Sequence, residues 1–472
     1  MASGNGAHGA SALATPAQVN RDLLERHQRT TGDTYWRAMA LFGALFVLGI
    51  IGFLMRLSDG FSDKAVWGYY AAVFAFILTT AQAAPLVAIA PRIAKGHWRR
   101  PISRAAELWS VVGLFNLLLF IPLLWVLPSL EDTRRTLWFF DAADPNFSQV
   151  PVYSPHIWAT LALVGLVVTG FMLLWVSALP DLAAVRDSAS GWRQRWAARL
   201  APNWQGTSQQ WNFLYHRTGI LGAFYFIMLI FVHFLISVDF AMALVPGWID
   251  ALFPITHAAN SLQAGTATLL LTMFCLRQFG GYKDYIGLDQ FWALGKLMFA
   301  LSLLWFWFWF SSFIVLWYGK KPSEQAALQL MMVGPYLPAF MAAFVLNFLV
   351  PLFTMIWNPL RKSIWGPTLI ATSILIGTLF DRIRIYVPAY SVPGIGNRFV
   401  EKHELSEVPK SILPDMADIF MIVGAIGGAI FIYLLASKVL PVINVWEQKE
   451  MLLYRVHKPF HRIEVLVLGK RD

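Results

Sequence analysis

The chain has 472 residues and a formal net charge of +10; 57% of its residues are hydrophobic and 14% charged. Soluble domains run at roughly 45–50% apolar and about 25% charged, so an ordinary soluble domain is excluded. The single cysteine, Cys275, cannot by itself hold an iron–sulfur cluster or a Cys-x-x-Cys-His haem attachment, and reads as a small apolar core residue.

Met1 to Thr15 is a tract of small residues, and VNRDLLERHQRTTGD follows it. Neither has the basic start, short apolar core and cleavage site of a secretory signal. The expectation is a disordered tail, then a short surface helix, with the first span acting as an uncleaved insertion signal.

Ten runs then reach the roughly 20 apolar residues that a helix needs to cross a bilayer. They are 36–55, 65–90, 105–128, 156–180, 218–240, 257–277, 290–318, 333–357, 364–388 and 415–441. A β-barrel would show alternating segments of about ten residues instead. The fold class read from this pattern is an all-α membrane protein of ten transmembrane helices. Basic residues are retained on the cytoplasmic side. The connections on the side of the termini hold 25 Lys and Arg, against 11 on the other face, which predicts cytoplasmic N- and C-termini. The positive charge is mostly this bias plus attraction to anionic lipid, with no nucleic-acid footprint.

A weak repeat divides the spans. PRIAKGHWRRPISRAAELW joins the second to the third, as RQFGGYKDYIGLDQFWALGK joins the sixth to the seventh. The fifth ends HFLISVDF and the ninth LFDRIRIY, each with an acid near its outer end. Two four-helix bundles, spans 2–5 and 6–9, are therefore expected between single flanking helices. The expected division is 1–34 tail and surface helix, 35–64 first span with its external loop, 65–240 first bundle and 241–256 interfacial segment. It continues with 257–388 second bundle, 389–414 external loop, 415–441 tenth span and 442–472 cytoplasmic tail. Connections 129–155 and 389–414 are proline-punctuated and external, and could dock a partner. GWRQRWAARLAPNW, in 181–217, suits an interfacial amphipathic helix.

Ionisable groups in membrane helices are expensive and often functional. From Thr218 to Leu276, Asp239 and Asp250 are the only carboxylates in a stretch nearly free of charge. By helical rise, Asp239 lies about 30 Å beyond Thr218, at the outer rim. Asp381, Arg382 and Arg384 reach the same level, as do His257, Asp415 and Asp418. WIDALF, between Pro246 and Pro254, reads as a short element along the interface, anchored by Trp248 and bracketed by Asp239 and His257. The cluster is either a proton-handling or quinone-edge site, or a salt-bridged clasp of Asp239 or Asp381 with Arg382 or Arg384. His233, about 9 Å deeper, relays protons or bonds a backbone carbonyl. Gln82 and Asn116 suit interhelical hydrogen bonds. Glu107 suits an ion pair with Arg104, and Lys296 either snorkels to the cytoplasmic surface or serves proton entry. Bis-histidine haem needs facing buried histidines, and His233 alone is clearly deep. WFWFWF (305–310) reads as packing, and Gly424, Gly427 and Gly428 as a helix-contact face.

SVDFAMALVPGW, FWALGKLMFALSLLWFWFWFSSFIVLWYGKKPSEQ and LFDRIRIYVPAY resemble the NrfD/polysulfide-reductase-type membrane subunit family, and within it the ActF-type subunits of alternative complex III. The resemblance spans the first to the tenth helix, and Leu294 to Lys296 through Pro322 is its most specific part. It implies a subunit of a bacterial quinol-oxidising complex in the inner membrane. The implied partners are a homologous membrane subunit, an external iron–sulfur subunit, haem c subunits and lipids. Quinone-binding relatives carry a histidine in the second span, where this chain reads YYAAVFAFILTTAQAAP. The resemblance thus implies scaffolding and proton conduction, with Asp239, Lys296 and Asp381 at matching positions, and no covalently bound cofactor. Direct menaquinone binding, touching His257 or Asp239, is the second reading. A secondary transporter is the third, although transporters place substrate sites near the midplane.

Overall fold

The computed structural model describes residues 15–28, 32–128, 137–138, 153–393, 405 and 407–453, with the backbone of 455–460 and 463–468. The tract before Thr15, most of connection 129–155 and part of 389–414 lie outside the described residues. In chain order the helices are α1 (Pro16–Gln28), α2 (Asp33–Ser58), α3 (Gly68–Thr80), α4 (Leu86–Ile93) and α5 (Ser103–Val126). Next come α6 (Ser154–Ser188), α7 (Gly191–Leu200), α8 (Ser208–Asp239), α9 (Phe253–Gln278) and α10 (Leu288–Gly319). The last are α11 (Pro322–Leu328), α12 (Leu337–Met355), α13 (Trp365–Ser391), α14 (Met416–Val439) and α15 (Val445–Leu453). After α15 the backbone forms an antiparallel hairpin, β1 (Arg455–Phe460) with β2 (Ile463–Leu468).

Among the described residues seven helices are long and apolar enough to cross a membrane: α2, α5, α6, α8, α10, α12 and α14. The three other expected spans depart for identifiable reasons. Run 65–90 is broken between Thr80 and Leu86, because Pro85 cannot continue the hydrogen-bond ladder. The hydroxyls of Thr79 and Thr80 donate to the carbonyls of Ala75 and Phe76, and Tyr225 donates to the Gln82 carbonyl at 2.6 Å. Helix-breaking segments are tolerated at membrane depth where protein surrounds them, and here Ala81 to Pro85 are buried. Helices α9 and α13 are continuous, but His257, Asn260, Gln263 and Thr266 on one, and Asp381, Arg382 and Arg384 on the other, make them too polar for a lipid-facing span. Those positions are buried against neighbouring helices, so the polarity never meets lipid.

Two of the interior helices, α9 and α13, are therefore less uniformly apolar than the lipid-facing ones. Every residue of α3 is buried. It packs on α9 and α13, and α9 also packs on α8, α10 and α13. Gly265 permits the crossing, since a Cβ there would stand 2.8 Å from the Ala83 backbone. On the flank α2 pairs with α14, where a Cβ on Gly424 would lie 2.0 Å from Gly49 Cα. The glycine face read from the sequence is thus a backbone-to-backbone contact.

Helices α1, α7 and α15 gather at one end of the molecule, the terminus end. The segment after α14 is no peripheral tail: Asn444 and Glu447 are fully buried. The opposite, far end holds the turn 240–252 and the C-terminal part of α13. Pro246 and Gly247 turn the chain there, but WIDALF does not form an outward-anchored element. Trp248 is buried with its ring 4.5 Å from that of Phe253, and Ile249 is the residue that points outward.

Candidate functional site

At the far end, α9 enters beneath this turn, and Asp250 fixes its start by accepting from the backbone N–H of Leu252 (2.9 Å) and Phe253 (3.2 Å). Its other carboxylate oxygen accepts from Ser312 on α10. That anchoring sets His257 in the first turns of α9, fully buried and facing two partners. His257 Nδ1 lies 2.7 Å from His233 Nδ1 on α8, and its Nε2 lies 3.1 Å from the Tyr386 hydroxyl on α13. The expected bond from His233 to a backbone carbonyl is replaced by this imidazole pair. Among the described residues, His233 Nε2 is buried without a hydrogen-bond partner.

Two imidazole nitrogens at 2.7 Å must be one donor and one acceptor, so the pair holds a proton between its rings. Two arrangements satisfy the file. In one, Tyr386 donates to His257 Nε2 and His257 donates to His233. In the other, His233 donates to His257, and His257 Nε2–H turns toward the tyrosine oxygen. Moving a proton at one end exchanges the arrangements, so the three side chains can act as a short relay.

Arg382 lies beside this file and is fully buried. It donates to Asn260 Oδ1, stands 3.5 Å from Asp381, and among the described residues leaves Nε and Nη1 without partners. Arg384 holds Asp381 more firmly, at 2.6 Å and 2.9 Å, with its guanidinium 5.5 Å from the Phe340 ring centre. His257, Asp381, Arg382, Arg384, Asp250 and Trp309 line a cleft of about 30 Å³ together with Trp248. One water needs about 10–15 Å³ on such a measure, so the cleft admits a few waters and no aromatic ring.

From Arg382 a polar chain continues inward. Asn260 Nδ2 donates to Gln263 Oε1 at 3.2 Å, and Gln263 Nε2 bonds Ser302 at 2.8 Å and the Asn347 carbonyl at 2.9 Å. Asn347 sits in a π-helical turn of α12, Val345–Leu349, a geometry that frees its carbonyl for Gln263. Residues 257, 260 and 263 recur at a spacing of three on α9, which places them on one face.

The remaining expected residues lie elsewhere. Asp239 is buried but is not in the cleft lining; it accepts from the indole N–H groups of Trp138 and Trp158, both at 2.9 Å. The bracket of Asp239 with His257 therefore resolves into two separate surroundings. Asp415 and Asp418 pair with Arg56 at 2.7 Å and 2.8 Å, tying α14 to α2. Lys296 is exposed, with Nζ 4.1 Å from the Trp292 ring centre, and lies about 24 Å along α10 from Ser312. Gln82 and Asn116 bond each other at 2.6 Å. The 305–310 aromatics stack on α12, with Phe306 against Phe348 at 4.0 Å.

Glu107 belongs to a second cluster at the terminus end. It accepts from Arg92 at 2.7 Å and Ser177 at 2.6 Å, while Arg104 is farther, at 3.9 Å. Arg104 turns to Asn444 (2.7 Å), the Ser177 carbonyl (2.8 Å) and Asp181 (3.1 Å). Glu447 takes Arg99 at 2.6 Å, Arg92 at 3.3 Å and Asn444 at 2.8 Å, and Asp181 accepts the backbone N–H groups of Val445 and Trp446. Burial would push the Glu447 carboxyl up, but Arg99 and Arg92 outweigh it and hold it at about 2.

Sequence reasoning missed Tyr386, Asn260 and Gln263 at the far end and Asp181, Asn444 and Glu447 at the terminus end. The three-residue spacing on α9 was the available signal for two of them. In comparisons with known proteins, the family described as polysulphide reductase, NrfD, matches residues 58–394. A search of curated proteins returned no match.

Proposed function

The chain belongs to the NrfD polysulphide reductase family, membrane subunits generally found in respiratory electron-transfer complexes with iron–sulfur and other redox partners; on that premise we propose that it is a ten-span anchor of an alternative complex III type quinol-oxidising complex which also carries protons. The ten spans comprise the seven apolar helices, α9, α13 and the broken pair α3–α4, grouped in two four-helix bundles between α2 and α14. Both termini lie in the cytoplasm of a bacterium, and the far end faces outward. The partners are a homologous membrane subunit, an external iron–sulfur subunit and haem c subunits.

The observation that carries the proton reading is the Tyr386–His257–His233 file beside Arg382, fully buried yet opening on a water-sized cleft. Protons enter or leave at the Asp381–Arg384 edge through cleft water and are passed along the Tyr386–His257–His233 file, while Asn260 and Gln263 hold Arg382 and the adjoining helices in place. Menaquinone is the organic group that the family implies. It does not fit this cleft, which lacks room for a ring. Gln82 also stands in the broken second span, with its side chain engaged by Asn116. No step is therefore routed through a quinone at this cleft.

The test has two arms. Affinity purification of the tagged chain is expected to bring down an iron–sulfur protein and a homologous membrane subunit; a chain recovered alone and active would remove the complex. In proteoliposomes, His257→Gln is expected to reduce proton movement per electron while the complex stays assembled. Unchanged coupling would confine the histidine pair to packing.

A further inference from the structure

A basic and aromatic platform at the terminus end takes no part in the proton reading and stands independently of it. Lys438, in the last turn of α14, places Nζ 3.6 Å from the ring centre of Trp36 and 5.0 Å from that of Tyr35, both in the first turn of α2. Tyr35 is fixed by its hydroxyl, which donates to the Leu434 carbonyl at 2.7 Å. Arg193 on the surface helix α7 docks alongside, donating to the Gln28 carbonyl at 2.9 Å with its guanidinium 5.4 Å from the Trp192 ring. It is near enough to act electrostatically on Lys438, Tyr35 and His27. Arg37 is exposed next to Trp36. Among the described residues neither Lys438 nor Arg37 forms an ion pair with a carboxylate.

Positive charges thus converge from three helices, and an anion beside Lys438 would lower their mutual repulsion. Beneath them runs the outer face of α2, whose most apolar window is only 11% buried by protein. Trp36, Leu41, Val47 and Leu54 on that helix are 50%, 56%, 55% and 57% exposed. A tryptophan beside cations at the head of an apolar strip is the pattern of the membrane interface. Free phosphate would use the cations and leave the strip bare.

We propose that Lys438, Arg193 and Trp36 bind the phosphate of an anionic phospholipid whose acyl chains lie along α2. Basic groups at a membrane surface each add about 1 kcal/mol toward anionic lipid, so two of them favour it over a zwitterionic lipid by about 30-fold.

The experiment uses the assembled complex, or the full chain, in nanodiscs of phosphatidylcholine with and without phosphatidylglycerol. Bound lipid is read by native mass spectrometry and unfolding temperature by fluorescence. The wild type is expected to retain a phosphatidylglycerol and to be stabilised by it. Lys438→Gln/Arg193→Gln is expected to lose both effects, the stabilisation being read as the difference between the two lipid mixtures for each variant, and Lys438→Arg is expected to keep them. If the double variant does not assemble, Lys438→Gln alone, at a half-buried position, is expected to weaken retention about fivefold. Equal retention by wild type and variants overturns the proposal. So does equal stabilisation by inorganic phosphate, or a site covered by another subunit and closed to lipid.

Discussion

The two ends of this molecule bury polar clusters of similar size and satisfy them differently. At the terminus end every carboxylate oxygen of Glu107, Glu447 and Asp181 meets a guanidinium, an amide, a hydroxyl or a backbone N–H. Among the described residues both ends leave guanidinium nitrogens without partners, Arg92 Nη1 and Arg99 Nε at the terminus end and Arg382 Nε and Nη1 at the far end. What the far end adds is the histidine pair, with His233 Nε2 also unpartnered, beside a water-sized cleft. Buried ion pairs are expensive to break because removing one partner strands the other. A cluster built of carboxylates and guanidinium groups holds helices in place, whereas one that contains paired imidazoles beside a water-sized cleft retains groups that can exchange protons.

The comparison is tested most severely by removing Glu447. Glu447→Ala strands Arg99 and Arg92, with an expected loss of about 3–5 kcal/mol, read as failed assembly or a sharply lower unfolding temperature. A stable complex with that substitution would show that the terminus end is not a clasp. Next in size, His257→Gln should lower coupled proton movement about 100-fold or more and change the unfolding temperature far less than Glu447→Ala does.

A pH series separates the ends further. The folded Glu447 carboxyl titrates at about 2, against 4.5 for an ordinary glutamate, so its stabilisation is complete above pH 4.5 and lost as pH falls toward about 2. Between pH 6 and 8 this group leaves the unfolding temperature flat, and the acid limb below pH 4.5 is expected to be shallower in Glu447→Gln. A slope between pH 6 and 8 that Glu447→Gln abolishes would contradict this assignment.

Tyr386→Phe removes one hydrogen bond from the file, about 1 kcal/mol, and is expected to slow coupled turnover about fivefold with assembly intact. Asp239→Asn should have the smallest effect on coupling, because Asp239 accepts from two indoles outside the cleft lining. A large coupling defect in Asp239→Asn, with His257→Gln normal, would reverse the ranking and move the relay to the first bundle.

Much of the outer site was legible as a list of residues, and little of it as contacts. Helical rise placed His257, Asp381, Arg382 and Arg384 at one level, because span length fixes depth. It could not tell that Asp239 turns away to Trp138 and Trp158, since rise says nothing about which neighbour a side chain faces. Tyr386 was passed over because a tyrosine near a helix end usually marks the interface, whereas this one is fully buried. Glu447 was hidden for the opposite reason: NVWEQKE is polar enough to read as tail, and it is buried only because Arg92, Arg99 and Asn444 receive it.

The amino-acid sequence by itself determined that this is a helical membrane protein, where its apolar runs lie, and where prolines punctuate its longer connections. These follow from run length, hydropathy and proline chemistry, which are properties of local segments. Tertiary structure alone decided that α3, α9 and α13 form the interior, that two histidines 24 residues apart share a proton position, and that the post-span segment is a buried clasp. Those outcomes depend on which faces meet across helices distant in the chain, where burial and charge complementarity are settled together.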